Sequence, residues 1–252
     1  MRSFFSSLRK IGGSLRGRRI LLMLDFDGTI TSFRREPSAV RLSGKMGNLL
    51  SGLARNPRVK VVVLSGRSPE YLRRRVPVKG ILLVGEHGAS MMRKGVRHKE
   101  TASLAAALRE FRKLASKFPG AWIERKRHGF CLHYRRASPK LRRELLRNAE
   151  KAFEGLPHNG YLRSMKGNMI FEVLAKNAWN KGDAVRALAR KNPRRSVFMF
   201  GDDVTDEDAF RALGKTGFSV LVGKARRKSA ARYSVRTVGE VAKALRWLLG
   251  NS

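Results

Sequence analysis

The chain has 252 residues, 55 of them Lys or Arg and 19 Asp or Glu, for a formal net charge of +36. Its 42% hydrophobic content is enough for a packed core, which excludes a disordered polycation, and no apolar run approaches the ~20 residues that cross a bilayer, which excludes a spanning helix. The single cysteine, Cys131, excludes an intrachain disulfide and alone makes no zinc site, so a reducing, cytoplasmic setting is expected. The chain is separately expected to be a monomer.

Residues 1–19, MRSFFSSLRKIGGSLRGRR, are rich in Arg and Ser and free of acids. They read as a basic N-terminal arm, either poorly ordered or a targeting segment, without the long apolar stretch of a secretory signal. Short aliphatic runs come next at 20–24 (ILLML), 59–65 (VKVVVLS), 80–85 (GILLVG), 196–201 (SVFMFG) and 219–223 (SVLVG), separated by helix-length segments. Such runs predict buried parallel strands with crossover helices, hence an α/β fold with a doubly wound parallel-sheet core formed by residues 20–98 and 177–252.

Between residues 99 and 176 the texture changes to helix (101–118), strand (121–126), strand (129–135), helix (138–153), strand (161–164) and strand (169–174), with hairpin-length connections. This order predicts an inserted α+β cap domain with a small antiparallel sheet backed by two helices. The core resumes with a helix opening near Asn180.

Six of the seven aspartates lie in two stretches, Asp25 and Asp27 in DFDGT, and Asp202, Asp203, Asp206 and Asp208 in GDDVTDED. In a doubly wound sheet functional groups gather beyond the carboxyl ends of the strands, where both stretches fall. Converging carboxylates need a counter-charge, and hard oxygen ligands of this kind suit Mg²⁺. An aspartate beside such a cation can attack a phosphoryl group, and a second carboxylate two residues on can move the proton. An Asp-x-Asp pair at a strand end also fits a turn or helix cap, and acids at 203, 207 and 208 also fit the first turn of a helix, whose dipole they complement.

The arrangement of DFDGT, Ser65 after VVVL, Lys181 and GDDVTDED resembles the haloacid dehalogenase superfamily of phosphotransferases. Within it, VVLSGR, GEHG, WIERK…LHYR, WNKGDAV and GDDVTDEDAF are together similar to the trehalose-6-phosphate phosphatase family, over about residues 20–223. The resemblance implies Mg²⁺-dependent hydrolysis of trehalose 6-phosphate in trehalose biosynthesis, through an aspartyl-phosphate. It implies Asp25 as nucleophile and metal ligand, and Asp27 as general acid and base with its carbonyl on the metal. Ser65 and Lys181 would bind phosphate, Asp202 would complete the metal site, and Asp203, Asp206 and Arg67 would support it. It further implies Glu124, Lys126 and Glu172 on the sugar and Arg135 reaching toward phosphate. The sequence departs from the family at Leu174 and Ala175, where relatives commonly carry an Arg-Pro pair.

Related activities on sucrose 6-phosphate or mannosyl-3-phosphoglycerate keep the same chemistry. A polyanion-binding protein on a phosphatase fold is the alternative from another class, since +36 attracts nucleic acid nonspecifically at low salt. The residues left to structural roles are Cys131 and His133, read as strand packing, and Arg109, Arg112 and Arg142, read as solvated helix charges.

Overall fold

The computed structural model describes all residues except 33–39, 93–97, 158, 168 and 224–227, and gives no side-chain placement for 98–100. It divides into two compact units, one of Met1–Met91 with Trp179–Ser252, the other of Met92–Ala178.

The first unit is built on a seven-stranded, wholly parallel sheet. In chain order the strands are β1 (Arg2–Ser3), β2 (Arg19–Leu24), β3 (Val59–Leu64), β4 (Leu82–Val84), then β9 (Arg195–Gly201), β10 (Phe218–Val222) and β11 (Tyr233–Val235). Their spatial order is β1-β11-β10-β9-β2-β3-β4. Continuous aliphatic runs make the central strands because both faces are covered. Ile20, Leu22 and Leu24 enter one hydrophobic cluster with α2 (Gly44–Arg55) and α8 (Val238–Gly250), while Leu21 and Met23 enter the other with α6 (Lys181–Arg190) and α7 (Asp206–Leu213). The period-2 alternation of a strand thus feeds two cores, one per sheet face.

The N-terminal segment is not a loose arm. β1 pairs in parallel with β11, and α1 (Leu8–Leu15) buries Ile11 and Leu15. Phe4 is completely buried, with ring contacts of 5.8 Å to Phe200, 6.3 Å to Tyr233 and 6.1 Å to Trp247. The basic residues are spread around a few apolar anchors, and the anchors decide the outcome because burying one aromatic ring outweighs the local charge repulsion in water.

The second unit contains α4 (His98–Ser116), β5 (Trp122–Lys126), β6 (Gly129–His133), α5 (Pro139–Glu154), β7 (Leu162–Gly167) and β8 (Ile170–Ala175). Its four strands form an antiparallel sheet in the order β5-β6-β8-β7. Phe130, Leu132, Phe171 and Val173 point to one face and pack on Ala107 and Phe111 of α4 and on Leu145 and Ala149 of α5. Ser138 caps α5 by accepting the Leu141 N–H, with Pro139 at the first helical position. Leu174 and Ala175 lie buried in β8.

Phe4→Ala should therefore destabilise the protein by about 3–5 kcal/mol, the usual cost of emptying a buried aromatic site. Urea unfolding would read this, and a change under 1 kcal/mol would mean that the segment does not belong to the core.

Candidate active site at the carboxyl edge of the sheet

β2 lies between β9 and β3, so the residues just beyond these three strands emerge side by side. They are Asp25 after β2, Asp202 after β9 and Ser65 after β3. The Asp25 N–H donates to the Phe200 carbonyl at 2.9 Å and the Ser65 N–H to the Val84 carbonyl at 3.0 Å, so both remain tied to the sheet. Gly28 then turns the chain at φ +84°, and a Cβ there would stand 2.2 Å from Asp202 Oδ2. Only glycine permits that conformation and that approach together. The neighbouring Thr29 hydroxyl donates to Asp202 Oδ1 at 3.2 Å, linking the two acidic loops.

Lys181 opens α6, whose start is fixed by a capping box between Asn180 and Asp183. A lysine at a helix N-terminus opposes the dipole. Here two carboxylates overrule it, since Nζ donates to Asp25 Oδ1 at 2.6 Å and to Asp206 Oδ1 at 2.7 Å. Asp206 is fully buried at the start of α7, and its Oδ2 accepts the N–H groups of both Asp202 and Asp203 at 3.0 Å. Gly201 makes room for it, because a Cβ there would fall 2.2 Å from Asp206 Cγ. The Asp203 carboxylate accepts the Val204 N–H at 2.7 Å.

Carboxylate oxygens of Asp25, Asp202 and Asp206 lie within 4.8 Å of one another. Burial first, and the nearby charges of Asp206 and Asp202, raise the Asp25 carboxyl well above the usual aspartate range, against the pull of Lys181. Burial, then Asp206, pushes Asp202 up to about 7. Burial would lower Lys181, but Asp206 and Asp25 outweigh it and hold the ammonium above its ordinary value. Three carboxylates against one ammonium leave a surplus of negative charge in a dry site. An all-oxygen donor set with such a surplus fits a hard divalent cation.

Asp27 lies beside this cluster and is gripped by Arg67, with Nε to Oδ2 at 2.8 Å and Nη2 to Oδ1 at 3.0 Å. Arg67 also lies 4.7 Å over the ring of Tyr71 in α3 (Pro69–Arg75), and its N–H donates to Ser65 Oγ at 3.2 Å. Glu86 and His87 sit in left-handed backbone at φ 51° and 55°. Their N–H groups donate to the carbonyls of Arg67 and Ser65, both at 2.9 Å, and a Cβ on Gly66 would meet the His87 ring at 2.5 Å. The GEHG turn thus backs the Ser65 loop, a support that its paired glycines signal in the sequence.

In the second unit the register places Glu124, Cys131 and Glu172 on one rung of β5, β6 and β8. On that face Lys126 Nζ donates to Glu172 Oε1 at 2.5 Å, both side chains being almost wholly buried. His133 Nε2 lies 2.7 Å from Glu124 Oε2 and its ring stacks on Trp122 at 4.6 Å. His133 is therefore part of a polar face rather than simple strand packing, because it lies on the side of the sheet away from the helices. Arg142 also departs from a solvated role, with Nε and Nη2 donating to the carbonyls of Ala137 and Arg135 at 2.7 and 2.6 Å. Arg135 stands after β6 in the loop that Arg142 holds. Glu207 does more than complement a dipole, since its Oε2 accepts the Ala230 N–H at 2.8 Å. The Glu207 contact spans 23 residues and has no local sequence signal.

Residues 23–238 match the family profile described as trehalose-phosphatase. The chain is 34% identical over 238 residues to the trehalose-phosphatase of Schizosaccharomyces pombe, covering 85% of this chain and 29% of that protein. It is 32% identical over 232 residues to a Mycobacterium tuberculosis protein called an uncharacterized glycosyl hydrolase, covering 86% of this chain and 17% of that one. It thus spans less than a third of either relative. Among solved structures, the C-terminal domain of C. albicans trehalose-6-phosphate phosphatase superposes with a TM-score of 0.79 at 25% identity, covering 99% of this chain and 98% of that one. Matched from Met23 to Val238 by one profile, on a parallel core with an antiparallel second sheet, the chain belongs to the trehalose-phosphatase family.

Proposed function

We propose that the chain is a Mg²⁺-dependent phosphatase that hydrolyses trehalose 6-phosphate to trehalose and phosphate. The observation that supports this most directly is the buried Asp25, hydrogen-bonded to Lys181 and within 4.8 Å of Asp202. In this reading Asp25 attacks phosphorus, the bond from phosphorus to the sugar oxygen breaks, and Asp27 gives its proton to that oxygen. Asp27 then takes a proton from water, the water oxygen attacks phospho-Asp25, and phosphate leaves as the carboxylate is restored. Lys181 and Ser65 hold phosphoryl oxygens, and Arg67 fixes the carboxylate of Asp27 in one orientation. Asp25, the Asp27 carbonyl and Asp202 would hold Mg²⁺, which would supply positive charge against the phosphoryl oxygens and keep the clustered carboxylates ionised. Asp203 and Asp206 keep the loop of Asp202 in place.

Glu124, Lys126, Glu172 and Arg135 select the disaccharide in this proposal. Paired charged groups on one sheet face offer the directional hydrogen bonds that sugar hydroxyls need, and an unpaired partner in a dry site costs about 1–3 kcal/mol. The sequence departure at Leu174 and Ala175 lies on the same strand as Glu172.

Asp25→Asn should lower turnover of trehalose 6-phosphate at least about a thousandfold with an unchanged circular dichroism spectrum. Turnover near that of the parent would end the proposal. Glu124→Gln should raise KM for trehalose 6-phosphate several-fold and leave p-nitrophenyl phosphate hydrolysis unaltered, and an equal loss on both substrates would remove Glu124 from sugar recognition. A panel including sucrose 6-phosphate and glucose 6-phosphate fixes the substrate.

A third expectation concerns the metal and needs no turnover. With Asp202 raised to about 7, the metal-free folded chain carries a proton that the unfolded chain has lost, between the ordinary aspartate range and neutral pH. This group's contribution to stability therefore falls as pH rises through that window, and its ionisation is opposed in full above it. Mg²⁺ replaces the proton, so the rise in Tm on exchanging EDTA for Mg²⁺ should be larger near pH 8 than near pH 5.5. A rise that is equal at both, or larger at low pH, would contradict the assignment.

A further inference from the structure

A parallel sheet has two chemically distinct edges, and the one opposite the aspartates has its own charge pattern. Strands β9, β2 and β3 are adjacent, and the segments that enter them are 190–195 (RKNPRR), 16–19 (RGRR) and 55–60 (RNPRVK). Together these hold ten Arg and Lys residues and no Asp or Glu. Two of them carry the same Asn-Pro-Arg turn, at 56–58 and 192–194, which ends a helix and sets an arginine at the mouth of the next strand. The register puts Arg19 opposite Arg195, and Arg58 one residue before the pairing of Val59 with Ile20. Neighbouring strands are about 4.8 Å apart, so these guanidinium stems rise close together.

Some of this charge has a structural use. Arg195 Nη1 donates to the Ile20 and Arg58 carbonyls, both at 3.0 Å, and Arg58 Nη2 to the Arg18 carbonyl at 3.4 Å. Cations also complement the carboxyl ends of α2 and α6, which finish here. Those roles leave Arg18, Arg19 and Arg194 unexplained. All three are exposed, and among the described residues none makes a side-chain hydrogen bond or an ion pair. Burial, and then the charge of Arg19, push the Arg195 guanidinium below its ordinary value, so the groups already repel one another.

We propose that the amino-terminal edge of the β9-β2-β3 sheet, centred on Arg18, Arg19 and Arg194 with Arg58 and Arg195 beneath, is a binding surface for the phosphodiester backbone of RNA. A row of guanidinium forks without acids matches a chain of regularly spaced phosphates, and each fork can take one phosphate by two hydrogen bonds. A membrane is the poorer fit, because the large hydrophobic side chains exposed among the described residues are Met1, Leu82 and Val204, none of them in these segments. With no aromatic residue in the three segments there is no base stacking, so the surface reads charge and spacing and not sequence.

The test uses the triple variant R18Q/R19Q/R194Q, which spares the carbonyl-bonded Arg58 and Arg195. Its control is R143Q/R147Q/K151Q on α5, which removes the same net charge elsewhere. Affinity for a labelled 20-nucleotide RNA would be read by fluorescence anisotropy between about 50 and 200 mM salt. The first variant should weaken binding at least about tenfold and lower the log–log salt slope by about 2, three contacts at roughly 0.7 each for a single strand. The control should change affinity less than about threefold, and phosphatase turnover should be unchanged in both. Equal losses in the two variants, or no RNA binding by the parent at about 100 mM salt, would overturn the proposal while leaving the catalytic reading intact.

Discussion

The structure depends on a lysine placed between two acids. Lys181 Nζ joins Asp25, at the end of β2, to Asp206, at the start of α7, across 156 and 25 residues of sequence. All three are buried, so removing the lysine leaves two carboxylates without a counter-charge in a medium that solvates them poorly. The rest of the site is arranged around this link. Asp206 uses its second oxygen to hold the backbone of Asp202 and Asp203, and the glycines at 28 and 201 exist because those side chains need the space. Clustered acid is tolerated here because the lysine compensates part of it and leaves a charge deficit that a cation can fill.

The parallel sheet converts chain direction into chemistry. Every strand of the first unit runs the same way, so the segments entering the central strands gather at one edge and the segments leaving them gather at the other. This chain uses the rule twice. Acids gather at the carboxyl edge and arginines at the amino edge, although acids are outnumbered nearly threefold in the composition. The separation keeps the basic residues from occupying the acidic pocket, apart from Lys181 and Arg67, which are held there by specific hydrogen bonds.

Much of the fold and of the acidic edge is legible in the sequence. The central strands declare themselves as aliphatic runs because strands buried on both faces have no polar positions to break them, and the two Asp-rich loops stand out because aspartate is scarce. The features that the sequence hides have a common character. β1 and β11, two and three residues long, lack the length for a periodic signal. The burial of Phe4 depends on Phe200, Tyr233 and Trp247, all distant in sequence. Arg142 looks like one more helix charge, and only the fold shows two carbonyls within its reach. His133 alternates along β6 like a packing residue, and its polar partners become visible only when the helix-free face of the sheet is known.

The outer strands of the large sheet have a separate consequence. A sheet ends in unpaired backbone groups that can recruit another chain, and the hazard grows with the length of the edge. Here the flanks are β1, with two residues, and β4, with three. Each offers too few amides to template a foreign strand, so this sheet resists edge-to-edge aggregation by brevity at its borders.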